Sequence, residues 1–218
     1  MRAYTGQTRS ASLIKRLTEG GIGECTCRGE MPPRRTPWFY DNGAFKDWRN
    51  GQEFNTVRFM RDMSKITTDI EKGWNTAPDF IVVPDLVAAG VESLDESNGW
   101  LEWLKDRNVP LYLAVQDGMT TEEVAPLIEF QNYGGIFVGG TVKWKRETAA
   151  VWCELAAWMD VPAHIGRCGT DKKVLWAYSI GASSIDSSFP LWCSDYMNKF
   201  IAALDLCNSA QQKCGGVR

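Results

Sequence analysis

The chain reads as an α/β protein, a compact (β/α)8 TIM-like barrel, and three observations carry that reading. Short apolar runs recur with a polar or glycine tip: Trp38-Phe39-Tyr40-Asp41, Phe80 to Asp85, Leu111 to Gln116 and Ile136 to Gly140, with Ser183-Ser184-Ile185-Asp186 closing the series. Helix-patterned segments alternate with them, and strict alternation implies a parallel sheet whose strands are buried on both faces. Some seven such units in 218 residues imply closure into a barrel near the lower size limit of that fold, with one βα unit reduced. Reacting groups of such barrels stand where the strands end, so the tips converge on one site.

Taken in order, Arg2-Ala3-Tyr4-Thr5 reads as the first strand. Ser10 to Glu19 has amphipathic helical spacing and is stopped by Gly20-Gly21. Residues 23–37 hold Gly23, Gly29, Pro32, Pro33 and Pro37, and read as a loop before the strand ending at Asp41. Helices are expected near 54–72, 92–107, 121–131, 146–159, 171–180 and 192–206, with a further strand at Ala163-His164-Ile165-Gly166. The tail from Asn208 is expected to fray. No repeat beyond the βα rhythm and no domain linker is present, so residues 1–218 read as one domain.

Bulk properties narrow the function classes. A hydrophobic content of 44% with 11% aromatic residues suits a soluble globular chain. The longest apolar runs are strand-sized, the N-terminus has no apolar core of a secretory signal, and the cytoplasm is the default compartment, with no membrane partner. The seven cysteines, Cys25, Cys27, Cys153, Cys168, Cys193, Cys207 and Cys214, include no Cys-x-x-Cys pair, and His164 is the one histidine, so reduced thiols are expected and no metal site. His164, inside an apolar run, reads first as a core histidine.

A formal net charge of −3 argues against a nonspecific nucleic-acid binder, yet residues 1–49 carry nine Lys/Arg against five Asp/Glu. Arg34-Arg35 and Lys143-Trp144-Lys145-Arg146 flank the strand tips and suit phosphate contacts, a solvated charged surface being the plain alternative. Asp41 and Asp186 end strands that a closed barrel brings near each other. Paired carboxylates with separated roles are what chemistry at a glycosidic carbon requires, although Asp at a strand end also serves as a helix cap.

The wording of the runs adds to this. Tyr40-Asp41-Asn42-Gly43-Ala44-Phe45 resembles the Asp-Ser-Gly-Gly-Phe/Tyr motif of the tRNA-guanine transglycosylase family, and Leu113 to Gly118 is similar to its Gly-Ile-Val-Gln-Gly segment. Ile136 to Gly140 looks like the family's strand ending in Gly-Gly. Gly166-Arg167-Cys168-Gly169-Thr170 looks like its Met-Gly-Val-Gly-Thr loop, and Ile180 to Pro190 is similar to its Gly-Val-Asp-Met-Phe-Asp-Cys-Val-x-Pro element. The five lie in the family's order over residues 38 to 190.

The resemblance implies Asp186 as nucleophile on C1′ and Asp41 as general acid/base. Asp85, Gln116, Gly139 and Gly140 would bind the base edge, with the Gly140 amide on O6, and Phe45 would stack on the base, its plain alternative being a core phenylalanine. Arg34, Arg35, Lys143, Lys145, Arg146 and Arg167 are then candidates for the nucleic-acid backbone. The family's zinc motif is absent, its base-sandwiching methionine corresponds to Gly166, and an acidic position beyond the Gly-Gly falls near Lys145. A small chain without that zinc motif resembles the phage-type enzymes that exchange guanine in DNA for a 7-deazaguanine such as preQ0. The implied partners are DNA and the free 7-deazaguanine base, with no cofactor. The same exchange on tRNA and a non-catalytic deazaguanine-binding relative are the alternatives.

Overall fold

A computed structural model describes residues 1–131 and 133–215. Eight parallel strands close into a barrel in simple chain order, β1 through β8, with β8 paired back onto β1. The strands are β1 (Arg2–Gly6), β2 (Gly23–Cys27), β3 (Trp38–Asp41), β4 (Ile81–Val82), β5 (Leu111–Val115), β6 (Gly135–Val138), β7 (Ala163–Ile165) and β8 (Ser184–Asp186). The helices are α1 (Ala11–Glu19), α2 (Ala44–Arg49), α3 (Thr56–Glu71), α4 (Glu92–Leu104), α5 (Thr121–Gln131), α6 (Val142–Trp158), α7 (Asp171–Ser179) and α8 (Ser194–Gly215). Among the described residues no helix is long and apolar enough to cross a membrane.

Local sequence accounts for where these elements start. Ser10, Thr141 and Thr170 are the N-caps of α1, α6 and α7, each hydroxyl accepting from a backbone N–H in the first turn. Alternation along the strands then divides two cores. Trp38 and Tyr40 of β3, Leu113 and Val115 of β5, Ile165 of β7 and Ile185 of β8 face the helices. Tyr4, Phe39, Val82, Tyr112 and Ala114 instead fill the barrel with Phe80, and Phe137 packs against them. Phe39, Phe80 and Tyr112 stack in series, with ring centroids 4.5 and 3.9 Å apart, and form an aromatic floor beneath the strand tips.

One expectation is corrected. Residues 23–27 are a barrel strand, β2, and not part of a loop: they pair with β1 on one side and β3 on the other. The reduced unit is therefore the β2–β3 connection, which carries no helix. Polar anchors hold it instead. Arg28 pairs with Asp47 at 2.5 Å, the Gly29 amide donates to Asp62 at 2.6 Å, and Arg35 pairs with Glu24 at 3.2 Å with both side chains fully buried. At the C-terminus α8 extends from Ser194 to Gly215, with Met197, Phe200, Ala203, Leu204 and Cys207 buried on its inner face. The Cys214 side chain and residues 216–218 lie outside the described residues.

Candidate active site

Asp41 ends β3 and Asp186 ends β8, both on the inward parity of their strands, two residues after Phe39 and Ser184. They line one cavity of about 110 Å³ over the aromatic floor, together with Phe45, Asp85, Gln116, Gly139, Gly140, Lys145 and Arg167. Neither carboxylate caps a helix in the usual sense. Asp41 Oδ1 accepts from the Gly43 amide at 2.7 Å, in a tight turn that Gly43 permits by its left-handed φ of 78°. Burial pushes the Asp41 carboxyl up to about 6, against the pull of that amide, and the Asp186 charge adds to the rise.

Asp186 is held from two sides. Its Oδ1 accepts from the Arg167 amide at 3.3 Å and lies 3.1 Å from His164 Nε2. His164 Nδ1 is 2.8 Å from the Ser184 hydroxyl. Burial lowers the His164 pKa, so the ring is neutral at pH 7, and a carboxylate partner that only accepts places its proton on Nε2. The histidine is a core residue, stacked on Phe137 at 4.9 Å, and also the residue that orients Asp186. Only the barrel register, His164 beside Ser184, makes that second role visible.

Asn42, Asp85, Gln116 and Gly140 form a linear chain of polar contacts. Asn42 Nδ2 donates to Asp85 Oδ1 at 2.7 Å and Gln116 Nε2 donates to Asp85 Oδ2, while Gln116 Oε1 accepts from the Gly140 amide at 3.0 Å. Burial raises the Asp85 carboxyl to about 7 despite the two amide donors. Asp85 therefore sits in the cavity wall and not at the start of α4, which has no side-chain cap. The Gly140 amide, expected to face O6 of a base, is engaged by Gln116 in this structure, and the Gly139 amide donates to the Val115 carbonyl at 3.0 Å.

The cationic candidates separate into three groups. Lys143, Arg146 and Arg34 are exposed. Arg35 does not face solvent: it is buried, reaching Glu24 and, at 2.8 Å, the Thr5 hydroxyl, because a carboxylate inside the barrel wall requires a cation. Lys145 is likewise buried and donates to the Gly166 carbonyl at 2.7 Å, its pKa lowered to about 7 chiefly by burial and then by the Arg167 charge. Trp144 is half-buried beside Trp152, at 6.0 Å. Arg167 folds inward. Its guanidinium lies 4.3 Å over the Phe45 ring and donates to the Gly140 carbonyl, which covers the face of Phe45 and keeps the cavity below the roughly 300–1,000 Å³ usual for ligand pockets.

No protein-family model and no curated protein matches the chain. Among solved structures it is similar to RipC from Yersinia pestis, at 14% identity and TM-score 0.49 over 92% of this chain and 94% of that one. It is also similar to a mandelate oxidase variant with a C4a-OH-FMN adduct, at 12% identity and TM-score 0.54 over 94% of this chain and 69% of that one. At such identities the second likeness reports a shared barrel architecture and nothing of the chemistry.

Proposed function

We propose that the protein is a base-exchange transglycosylase that replaces guanine in DNA with a 7-deazaguanine base. The observation that carries this reading is the placement of Asp41 and Asp186 on opposite chain ends of one closed barrel, in a single cavity whose wall is the Asn42–Asp85–Gln116–Gly140 chain. The ordered resemblance of residues 38 to 190 supports it.

In the proposed sequence, the Asp186 carboxylate attacks C1′ of an extruded deoxyguanosine. The C1′–N9 bond breaks, a glycosyl ester forms, and Asp41 gives its proton to the departing guanine. The incoming base then loses its N–H proton to the Asp41 carboxylate, its nitrogen attacks C1′, and Asp186 leaves as a carboxylate. Two inversions give net retention. The raised Asp41 pKa suits both halves, since a group titrating near neutrality can give and take a proton there. Asp85 retains lone pairs for N1–H and the 2-amino group of a guanine-like edge. Arg167 must leave the Phe45 face for the base to enter. Extrusion of the target from a duplex costs about a few kcal/mol, and a single strand avoids much of it.

The test is incubation of the protein with DNA and a labelled 7-deazaguanine, followed by nucleoside analysis. Label in deoxynucleosides, and a protein–DNA adduct on a denaturing gel that Asp186→Asn abolishes, is the expected result. Incorporation into tRNA alone would transfer the same chemistry to RNA; no incorporation into either, with the base still bound, would leave a deazaguanine-binding protein.

A further inference from the structure

A second cavity, of about 480 Å³, opens beside the first between the N-terminal turns of α6 and α7, and the two share Lys145, Gly166 and Arg167 as their common wall. Five of its nine lining residues are cations: Lys145, Arg146, Arg167, Lys172 and Lys173. None of the five makes a salt bridge among the described residues, and no acidic side chain is part of the lining. Lys145 and Lys173 donate only to the backbone carbonyls of Gly166 and Arg167. The Asp186 charge faces Lys145 and Arg167 from the adjoining cavity, and Arg146, Lys172 and Lys173 have no such partner among the described residues. Like charges gathered so repel, and a concave, partly desolvated wall magnifies the effect. Such a cluster is complementary to an anion. The remaining wall is half-buried Trp176 with Val142, an aromatic face beside the charges.

We infer that this cavity is a subsite for the nucleotide that neighbours the reacting one: its phosphate held by Arg146, Lys172 and Lys173, its base against Trp176. Continuity with the Asp186 cavity assigns the strand as the source of that phosphate, and this assignment rests on the transglycosylase reading; the anion subsite itself rests on the gathering of Arg146, Lys172 and Lys173 in one cavity with no acidic side chain in its lining. Aromatic stacking is tolerant of base identity, so the subsite would grip a strand without reading its sequence.

The experiment follows binding of a fluorescein-labelled single-stranded oligodeoxynucleotide of about ten nucleotides by anisotropy across a salt series. Arg146 and Lys172 are exposed, so Arg146→Ala with Lys172→Ala should leave the thermal unfolding midpoint unchanged. The double variant is expected to bind about tenfold more weakly and to lose up to about 0.7 units of log–log salt slope, the value for one neutralised phosphate on a single strand. Trp176→Ala should weaken the same oligonucleotide by about tenfold or more with the slope retained. Calorimetric binding of free 7-deazaguanine should not change in any of them. Affinity and slope equal to wild type in the double variant would overturn the subsite. Displacement of the oligonucleotide by inorganic phosphate at equal affinity would overturn the strand as its occupant. Weakened strand binding in the variants, with no base exchange by the wild type, would instead defeat the transglycosylase reading and leave the subsite standing.

Discussion

In the proposed reaction the Asp41 carboxyl, raised to about 6 by burial against an ordinary 3.8, is the proton donor of the first half-reaction and sets its pH dependence. At pH 7 a group with that pKa is protonated in roughly one molecule in ten, about a hundredfold more than an unperturbed aspartate. Formation of the glycosyl enzyme, measured in single turnover, is therefore expected to fall as pH rises through about 6, and Asp41→Asn should remove that limb along with the activity. A rate flat from pH 5 to 8 would take the proton from some other group. His164 acts through Asp186 and is a positioning residue. His164→Phe keeps a ring against Phe137 while losing the 3.1 Å contact with Oδ1. The expected outcome is slower adduct formation, by about 10–100-fold, with the KM for the free base unchanged, as befits a contact that aims the nucleophile and does not touch the base. A rise in KM alone would mean that the histidine shapes the cavity instead.

At the level of elements, the strands whose both faces are apolar were legible and the polar one was not. The runs ending at Asp41, Gln116, Gly140 and Asp186 stand out because β3, β5, β6 and β8 are buried against helices outside and aromatics within. β2 reads Gly-Glu-Cys-Thr-Cys, and its Glu24 is neutralised by Arg35 from a connection rich in proline, a pairing that no local pattern signals. The burial of Lys145 is legible in its spacing: it is four residues before Ala149, seven before Trp152 and eleven before Ala156, the buried stripe of α6, while Lys143 and Arg146 fall outside that stripe. Arg167 could not have been placed, because its inward turn depends on a left-handed φ of 66° and on the ring of Phe45 from another unit. Arg35→Ala tests the structural role now given to that residue. Loss of the cation leaves Glu24 buried and unpaired, so chemical denaturation should show a loss of about 3–5 kcal/mol. A change under about 1 kcal/mol would mean that water reaches Glu24, and the β2–β3 connection would need another anchor.

The wall that Asp85 shares with Asn42 and Gln116 keeps a carboxyl buried, and the stability of the whole molecule should record that cost as a function of pH. Asp85 titrates near 7 in the folded protein against an ordinary 3.8, so between those values the folded state holds a proton that the unfolded chain has released. Its favourable contribution is fully present below about pH 4 and is lost as pH rises through 7, with a ceiling on the order of 4 kcal/mol. Lys145, lowered to about 7, acts in the opposite sense above neutrality, but it is common to the wild type and to Asp85→Asn and cancels in their difference. The stability advantage of wild type over Asp85→Asn, read from denaturation curves at a series of pH values, is therefore expected to shrink from pH 4 to pH 8, whatever its absolute size. An advantage that stayed constant or widened would mean that Asn42 and Gln116 hold the ionised carboxylate without cost. Bound 7-deazaguanine, whose N–H donors suit the ionised form, should offset the loss and raise the unfolding temperature more at pH 8 than at pH 5. In Asp85→Asn that pH-dependent gain should be absent, which would tie the stability of the barrel to the residue proposed to bind the base.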